Sequence, residues 1–339
     1  MSALTQEKVI IAFKKLGELL GKPTDALENA FYSAQNSNAW FTFEQVKKSV
    51  LSFSEMLNAQ DVEEWFKSVI FSSSPKKIGL ILAGNIPLVG FHDVLCVLAT
   101  GNIALIKLSS SDDKLLKVIL SELVNIEPAI QNHFEYTERL KDFDAVIATG
   151  SNNSSRYFDY YFSKVPNIIR KNRNSVAVLD GTENAEQLQN LGADIFDYFG
   201  LGCRNVSKLY FPKDYDVAHF YEGIEQFQPV INHFKYNNNY DYNKSIYLVN
   251  AAKHFDNGFL LLKEDDNLTS PLAVLFYEEY KDLQDVEAKL KEKSVDIQCI
   301  ITQSPLDLET FNFGESQHPK LWDYADQVNT IDFLNGLNQ

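Results

Sequence analysis

Basic side chains are in short supply: the 339-residue chain carries 31 Lys and Arg against 46 Asp and Glu, a formal net charge of −15. A field of that sign repels polyanions at long range, so neither nucleic acid nor an anionic membrane is an expected partner, while a local cluster can still hold a small anion. Cysteine is rarer. The three cysteines, Cys96, Cys203 and Cys299, show no paired spacing of the kind that marks a zinc site or a disulfide framework, which points to a reducing, cytoplasmic compartment. No apolar run approaches the roughly 18 residues of a membrane span. The first eight residues, Met1 to Lys8, set an acid and a base ahead of any apolar run, unlike a secretory signal. Internal repeats are also lacking.

What remains is an ordinary globular mixture, 45% apolar and 23% charged, long enough for two packed domains. Residues 5 to 70 carry apolar side chains at helical spacing (Val9, Ile10, Phe13, Leu16, Leu19, Leu20), a helical preface. The pattern then changes. Ile78 to Ala83 reads as a buried strand ending in the turn Gly84-Asn85-Ile86-Pro87, Leu88 to Ala99 as a helix, and Ile103 to Leu108 as a second strand. Strand, helix and strand within about 30 residues make a βαβ unit and hence a parallel sheet. A helix near Lys114 to Leu123, a strand Ala145 to Ala148 ending at Thr149-Gly150-Ser151, a helix Ser155 to Phe162 and a strand Ser175 to Leu179 continue the alternation. Ligands of open α/β sheets bind beyond the carboxyl ends of the strands, where Asn85, Lys107 and Gly150-Ser151 all fall. Further strands are expected at Lys208 to Phe211, Ser245 to Val249, Leu272 to Tyr277 and Ile297 to Thr302, with Asn237 to Asp241 as an exposed loop.

Cys203 stands out in Phe199-Gly200-Leu201-Gly202-Cys203-Arg204. Small neighbours leave room for a substrate carbonyl, and a guanidinium next door favours the thiolate, the form that attacks. Packing is the competing account, since free cysteines are commonly buried. Cys96 and Cys299 read as core residues.

The order of these motifs resembles the aldehyde dehydrogenase superfamily, most closely its acyl-CoA reductase (LuxC-like) branch. Leu82-Ala83-Gly84-Asn85-Ile86-Pro87-Leu88 resembles the family's Asn-x-Pro turn, Ala99-Thr100-Gly101-Asn102 with Ile106-Lys107-Leu108-Ser109 its ribose-gripping segment, and Thr149-Gly150-Ser151 its Gly-Ser turn. Gly200-Leu201-Gly202-Cys203 takes the place of the catalytic cysteine segment, and Ser270-Pro271-Leu272 resembles the Gly-Pro that follows a ribose-binding acid. The resemblance implies an α/β fold, with a Rossmann-type parallel-sheet cofactor domain, a second α/β catalytic domain and a helical N-terminal region. It implies a helical region over 1–74, the cofactor domain over 75–173, the catalytic domain over 174–304 and a C-terminal return segment over 305–339. Its site residues would be Cys203 as nucleophile and Asn85 as oxyanion donor, with Lys107, Ser109, Ser110, Gly150 and Ser151 at the cofactor and no metal. The expected activity is reduction of an acyl-CoA thioester to an aldehyde through an acyl-cysteine. Acyl-phosphate or acyl-protein reductases, an aldehyde dehydrogenase, and a non-catalytic acyl-binding subunit of a reductase complex stand as alternatives, and the chain is expected to form a homo-oligomer or to meet a reductase-complex partner.

The departures from the family pattern also carry chemistry. Where hydrolytic relatives place a glutamate to activate water, alignment on Asn174-Ser175 puts Arg170, so exchange with coenzyme A is favoured over hydrolysis. Arg170, Lys171 and Arg173 read either as a solvated patch or as a site for the phosphates of coenzyme A or the dinucleotide. The acid of NAD-preferring relatives is replaced by Ser110, which favours NADP over NAD. A second ribose acid aligns near Asn267, beside Asp266. His92 and Asp93, just after the Asn85 turn, read as a proton carrier with its partner or as helix-start groups.

Overall fold

The computed structural model describes residues 3–150 and 152–337, so the expected cofactor contact Ser151 lies outside the described residues. The chain forms two compact units, one comprising residues up to Asn172 together with those from Pro319, the other Arg173–His318. The segment from 305 onward is thus divided at Pro319 between the two units.

The first unit begins with four helices, α1 (Gln6–Gly21), α2 (Asp25–Ala34), α3 (Phe43–Met56) and α4 (Ala59–Phe66). Each has one of its orphan N–H groups met by an N-cap side chain, Thr5, Thr24, Thr42 and Asn58 accepting from the first turn. Their apolar stripes, Val9, Phe13, Leu16 and Leu20 on α1 among them, are buried in a core shared with the following sheet. Then come β1 (Lys77–Ile81), α5 (Phe91–Ala99), β2 (Ile103–Lys107), α6 (Lys114–Ile126), β3 (Phe134–Tyr136), β4 (Ala145–Thr149), α7 (Asn152–Phe162) and β5 (Asn167–Arg170). The five strands lie in the order β3-β2-β1-β4-β5, every pair parallel, with Leu80 opposite Ile106 on one side and Ile147 on the other. This is the doubly wound arrangement. Strand order reverses between β1 and β4, and the crevice at such a switch point is where these sheets bind nucleotides. The turn after β1 holds Asn85, and the turn after β4 holds Gly150.

The second unit contains β6 (Asn174–Val178), α8 (Ala185–Phe196), β7 (Val206–Pro212), α9 (Val217–Gly223), α10 (Phe234–Val249), β8 (Phe255–Asp256), β9 (Leu261–Glu264), β10 (Val274–Tyr280), α11 (Leu283–Glu292) and β11 (Ile297–Thr302). Its sheet runs β11-β6-β7-β10-β9-β8 and is parallel except at β8 and β9. The chain closes in the first unit with α12 (Thr330–Gly336).

One expectation is overturned. Ser245 to Val249, expected as a strand, and Asn237 to Asp241, expected as an exposed loop, both belong to α10. The buried face of that helix is Tyr236, Tyr240, Asn243 and Tyr247, spaced four, three and four residues apart as one helical stripe requires. Its apolar surface is tyrosine, whose hydroxyls find partners: Tyr236 donates to the Phe259 carbonyl at 3.0 Å and Tyr240 to Asp256 Oδ1 at 2.5 Å. The β-branched residues that suggested a strand, Ile246 and Val249, face outward instead.

Candidate active site

The turn after β1 is built for rigidity. Asn85 is exposed within it, and the backbone around it is held from three directions. Asn38 Nδ2 donates to the Gly84 carbonyl at 3.2 Å, Ser49 Oγ donates to the Pro87 carbonyl at 2.8 Å, and the Leu88 N–H donates to Asp112 Oδ2 at 2.8 Å. Leu88 sits at φ 60°, a left-handed conformation that a leucine takes only when its surroundings impose it. A Cβ on Gly84 would stand 2.4 Å from Ser109 Oγ and 3.1 Å from Ser111 Cβ. Only glycine allows the turn after β1 and the loop after β2 to approach that closely.

Lys107 is the last residue of β2 and is half-buried; Ser109 is half-buried and Ser110 exposed in the loop that follows. Gly150, half-buried, follows β4 directly, and a Cβ there would meet Phe158 Cε2 at 2.8 Å and Ser154 Cβ at 2.9 Å, so α7 packs against a backbone that no side chain can cover. Three short loops thus lie at the carboxyl ends of β1, β2 and β4, the side of an open α/β sheet on which nucleotides bind, with close packing over Gly84 and Gly150.

Cys203 lies in the second unit, in the turn that leads into β7. The chain reaches it through a 3-10 turn (Asp197–Gly200) in which Tyr198, Phe199 and Gly200 all have positive φ, 53°, 58° and 76°. Asn205 braces that strained path. Its Nδ2 donates to the carbonyls of Asp194 at 3.0 Å and Asp197 at 2.8 Å, and its Oδ1 accepts from the Gly202 N–H at 2.8 Å. The Cys203 carbonyl accepts from Ser175 Oγ at 2.9 Å, which in turn accepts from the Cys299 N–H at 3.2 Å. Cys203 is half-buried, whereas Cys96 and Cys299 are buried. Burial pushes the Cys299 thiol up to about 11, against the pull of Arg204, and pushes the Cys96 thiol well up too, helped by Asp93. Both are packing residues. The Arg204 side chain extends to Cys299, its Nη1 lying 3.4 Å from that sulfur and its guanidinium 5.6 Å from the centre of the Phe311 ring.

The basic run resolves differently from the expectation of a phosphate site. Arg170 is buried, and its donors are taken by the protein. Nη2 donates to Asp93 Oδ1 at 2.6 Å and Thr330 Oγ1 at 2.8 Å, Nε to Asp93 Oδ2 at 3.2 Å and Nη1 to the Ala325 carbonyl at 2.6 Å. A guanidinium so engaged has nothing to offer a phosphate, so the reading of Arg170 as an anion contact is corrected. Asp93 is thereby an ion-pair partner of Arg170. His92 packs between the rings of Trp65 and Tyr324, with Nε2 3.0 Å from the Leu321 carbonyl. Near the second expected ribose acid, Asn267 Nδ2 donates to Asp265 Oδ1 at 2.7 Å.

Residues that the sequence reading passed over include Asp112, Ser175 and Asn205. Asp112 was signalled by nothing more than an acid soon after Ser110, and Asn205 by an asparagine two residues past Cys203. Ser175 is the second residue of β6, and its hydroxyl bonds become visible only when β6, β11 and the turn before β7 are adjacent.

Among the described residues no helix is long and apolar enough to cross a membrane. Residues 67–220 match the acyl-CoA reductase (LuxC) family. No curated protein sequence matches the chain. Among solved structures it is similar to an E. coli NADP dependent enzyme at 14% identity and a TM-score of 0.67, over 89% of this chain and 74% of that one. It is similar to aldehyde dehydrogenase 21 from Physcomitrella patens in complex with the reaction product succinate, at 12% identity and a TM-score of 0.69, over 98% and 85%. A P. syringae indole-3-acetaldehyde dehydrogenase mutant, solved with NAD+, matches at 11% identity and a TM-score of 0.66, over 88% and 72%. Enzymes of the aldehyde dehydrogenase superfamily use NAD or NADP. Residues 67–220 are thus similar to the LuxC acyl-CoA reductase family, and the chain is built on an aldehyde dehydrogenase-like fold.

Proposed function

We propose that the chain reduces an acyl-CoA thioester to the aldehyde with NADPH, by way of an acyl group carried on Cys203. The observation that carries this reading is the Cys203 loop: of the three cysteines, Cys203 alone is outside the core, on a strained turn braced by Asn205 and Ser175. The Cys203 thiolate adds to the thioester carbonyl carbon, and the carbon–sulfur bond to coenzyme A breaks with its electron pair leaving on the coenzyme A sulfur. By resemblance to the family, the donors assigned to the carbonyl oxygen while it carries negative charge are the Asn85 side-chain amide and the Cys203 N–H. Preorganised donors of this kind are worth about 3 to 4 kcal/mol each. The nicotinamide, when bound, supplies the hydride that reduces the Cys203 thioester. Cys203 then leaves as thiolate, and the aldehyde is released.

Thiol exchange is favoured over hydrolysis because the position where hydrolytic relatives hold a general base carries Arg170, which is locked to Asp93 and cannot accept a proton. We assign the first unit to the cofactor, with Lys107, Ser109, Ser110 and Gly150 as contacts and Ser151 by resemblance, and the second to the nucleophile. The exposed Ser110 favours NADP, since a carboxylate there would repel the 2′-phosphate.

The test is acylation followed by discharge. Labelled acyl-CoA should leave its acyl group on Cys203, and NADPH should release it as aldehyde; Cys203→Ala should lose both. An active Cys203→Ala enzyme, or label on another residue, would overturn the reading.

A further inference from the structure

We infer that Asp112 is a positioning residue for the oxyanion turn: from the loop that carries Ser109 and Ser110, its carboxylate holds the backbone of the turn that carries Asn85. The inference rests on the proposed role of Asn85, and it names a residue outside the family motifs that define the site.

Stability does not explain a carboxylate in that place. Asp112 is buried, 8% exposed, and only one of its oxygens is used: Oδ2 accepts from the Leu88 N–H at 2.8 Å, while Oδ1 is buried without a hydrogen-bond partner. Half-satisfied buried carboxylates are costly, and a neutral acceptor could bond one N–H at lower cost. The bond falls on Leu88, which has φ 60° and lies three residues after Asn85. A strained leucine stays in the left-handed region only while something fixes its peptide, and a charged acceptor grips an N–H more strongly than a neutral one.

The other two anchors of the turn, Asn38 and Ser49, come from the helical region and grip Gly84 and Pro87. Asp112 adds an anchor from the cofactor side. Together with the close approach of Gly84 to Ser109 and Ser111, it makes the turn after β1 and the loop after β2 one braced body. Loss of this anchor lets Leu88 relax and carries Asn85 away from the carbonyl oxygen, and displacements of about 1 Å at a reacting centre cost up to 100-fold in rate.

A double-mutant cycle on the full chain tests this, with kcat and the NADPH KM measured for wild type, Asp112→Ala, Asn85→Ala and the double variant. Asn85→Ala should lower kcat about 100-fold. Asp112→Ala should lower kcat about tenfold and move the NADPH KM by less than about twofold, and the double variant should be no slower than Asn85→Ala alone. Asp112→Asn, which keeps an oxygen for the Leu88 N–H but not the charge, should recover only part of the loss. If Asp112→Ala does not fold, Asp112→Ser, whose hydroxyl is one atom short of the carboxylate oxygen, takes its place in the same cycle. Additive effects, or a raised NADPH KM at unchanged kcat, overturn the inference while the role of Asn85 stands. An Asn85→Ala enzyme with full kcat removes the oxyanion reading and this inference with it.

Discussion

The buried acids show how a single residue type takes opposite roles in this molecule. Asp93 faces a guanidinium and is paired; Asp112 and Asp194 face mainly backbone N–H groups, and burial pushes both carboxyls up to about 6. For Asp112 the Leu88 N–H opposes the rise and Asp113 adds to it. A carboxyl that holds its proton more tightly folded than unfolded stabilises the fold below its ordinary 3.8 and loses that contribution as pH climbs through 6. The difference is about 3 kcal/mol. Asp112→Asn should therefore gain stability relative to wild type by about that much between pH 4 and pH 7. Urea denaturation of both proteins at several pH values in that interval measures it. A constant offset between them would show that Asp112 does not titrate there.

At the scale of elements, Arg170 carries the clearest lesson. The sequence placed it beside two other cations, Lys171 and Arg173, and a charge cluster of that kind has no visible partner until the chain folds. Its partners lie 77 residues away in α5 and 160 residues away at the start of α12. The ion pair joins β5, α5 and the C-terminal segment. Removing one member leaves the other charge buried and uncompensated, at a cost of about 3 to 5 kcal/mol. Arg170→Met should lower the urea midpoint accordingly, and Asp93→Ala combined with it should restore part of the loss. Equal midpoints for wild type and Arg170→Met would show that the pair carries no stability. The misreading of α10 has a related cause: its buried stripe is written in tyrosine and asparagine, and a search for aliphatic periodicity sees only Ile246, Leu248 and Val249 at its end. The strands of the first sheet were easier. Runs such as Ile103 to Ile106, rich in β-branched and aliphatic residues and bounded by turn formers, are local signals, so β1, β2 and β4 lie within two residues of expectation, whereas the three-residue β3 carries too little pattern to see.

Across the whole molecule, assigning the first unit to the cofactor has a direct consequence. NADPH should slow amide hydrogen exchange at the carboxyl ends of β1, β2 and β4, in peptides covering Gly84-Asn85, Lys107 to Ser110 and Gly150, and raise the unfolding temperature as any ligand of the native state does. Protection confined to the six-stranded sheet of the second unit would reverse the assignment. The chain alone determined the alternation of strand and helix, the order of the loops that bear Asn85, Lys107, Gly150 and Cys203, and the scarcity of basic charge, because periodicity, turn chemistry and composition are properties of neighbours. Only the tertiary structure decided which arginine is spent on an ion pair, that Ser175 and Asn205 brace the Cys203 loop, and that Asp112 grips the turn of Asn85. Those depend on contacts between residues far apart in sequence, and burial gives such contacts their strength.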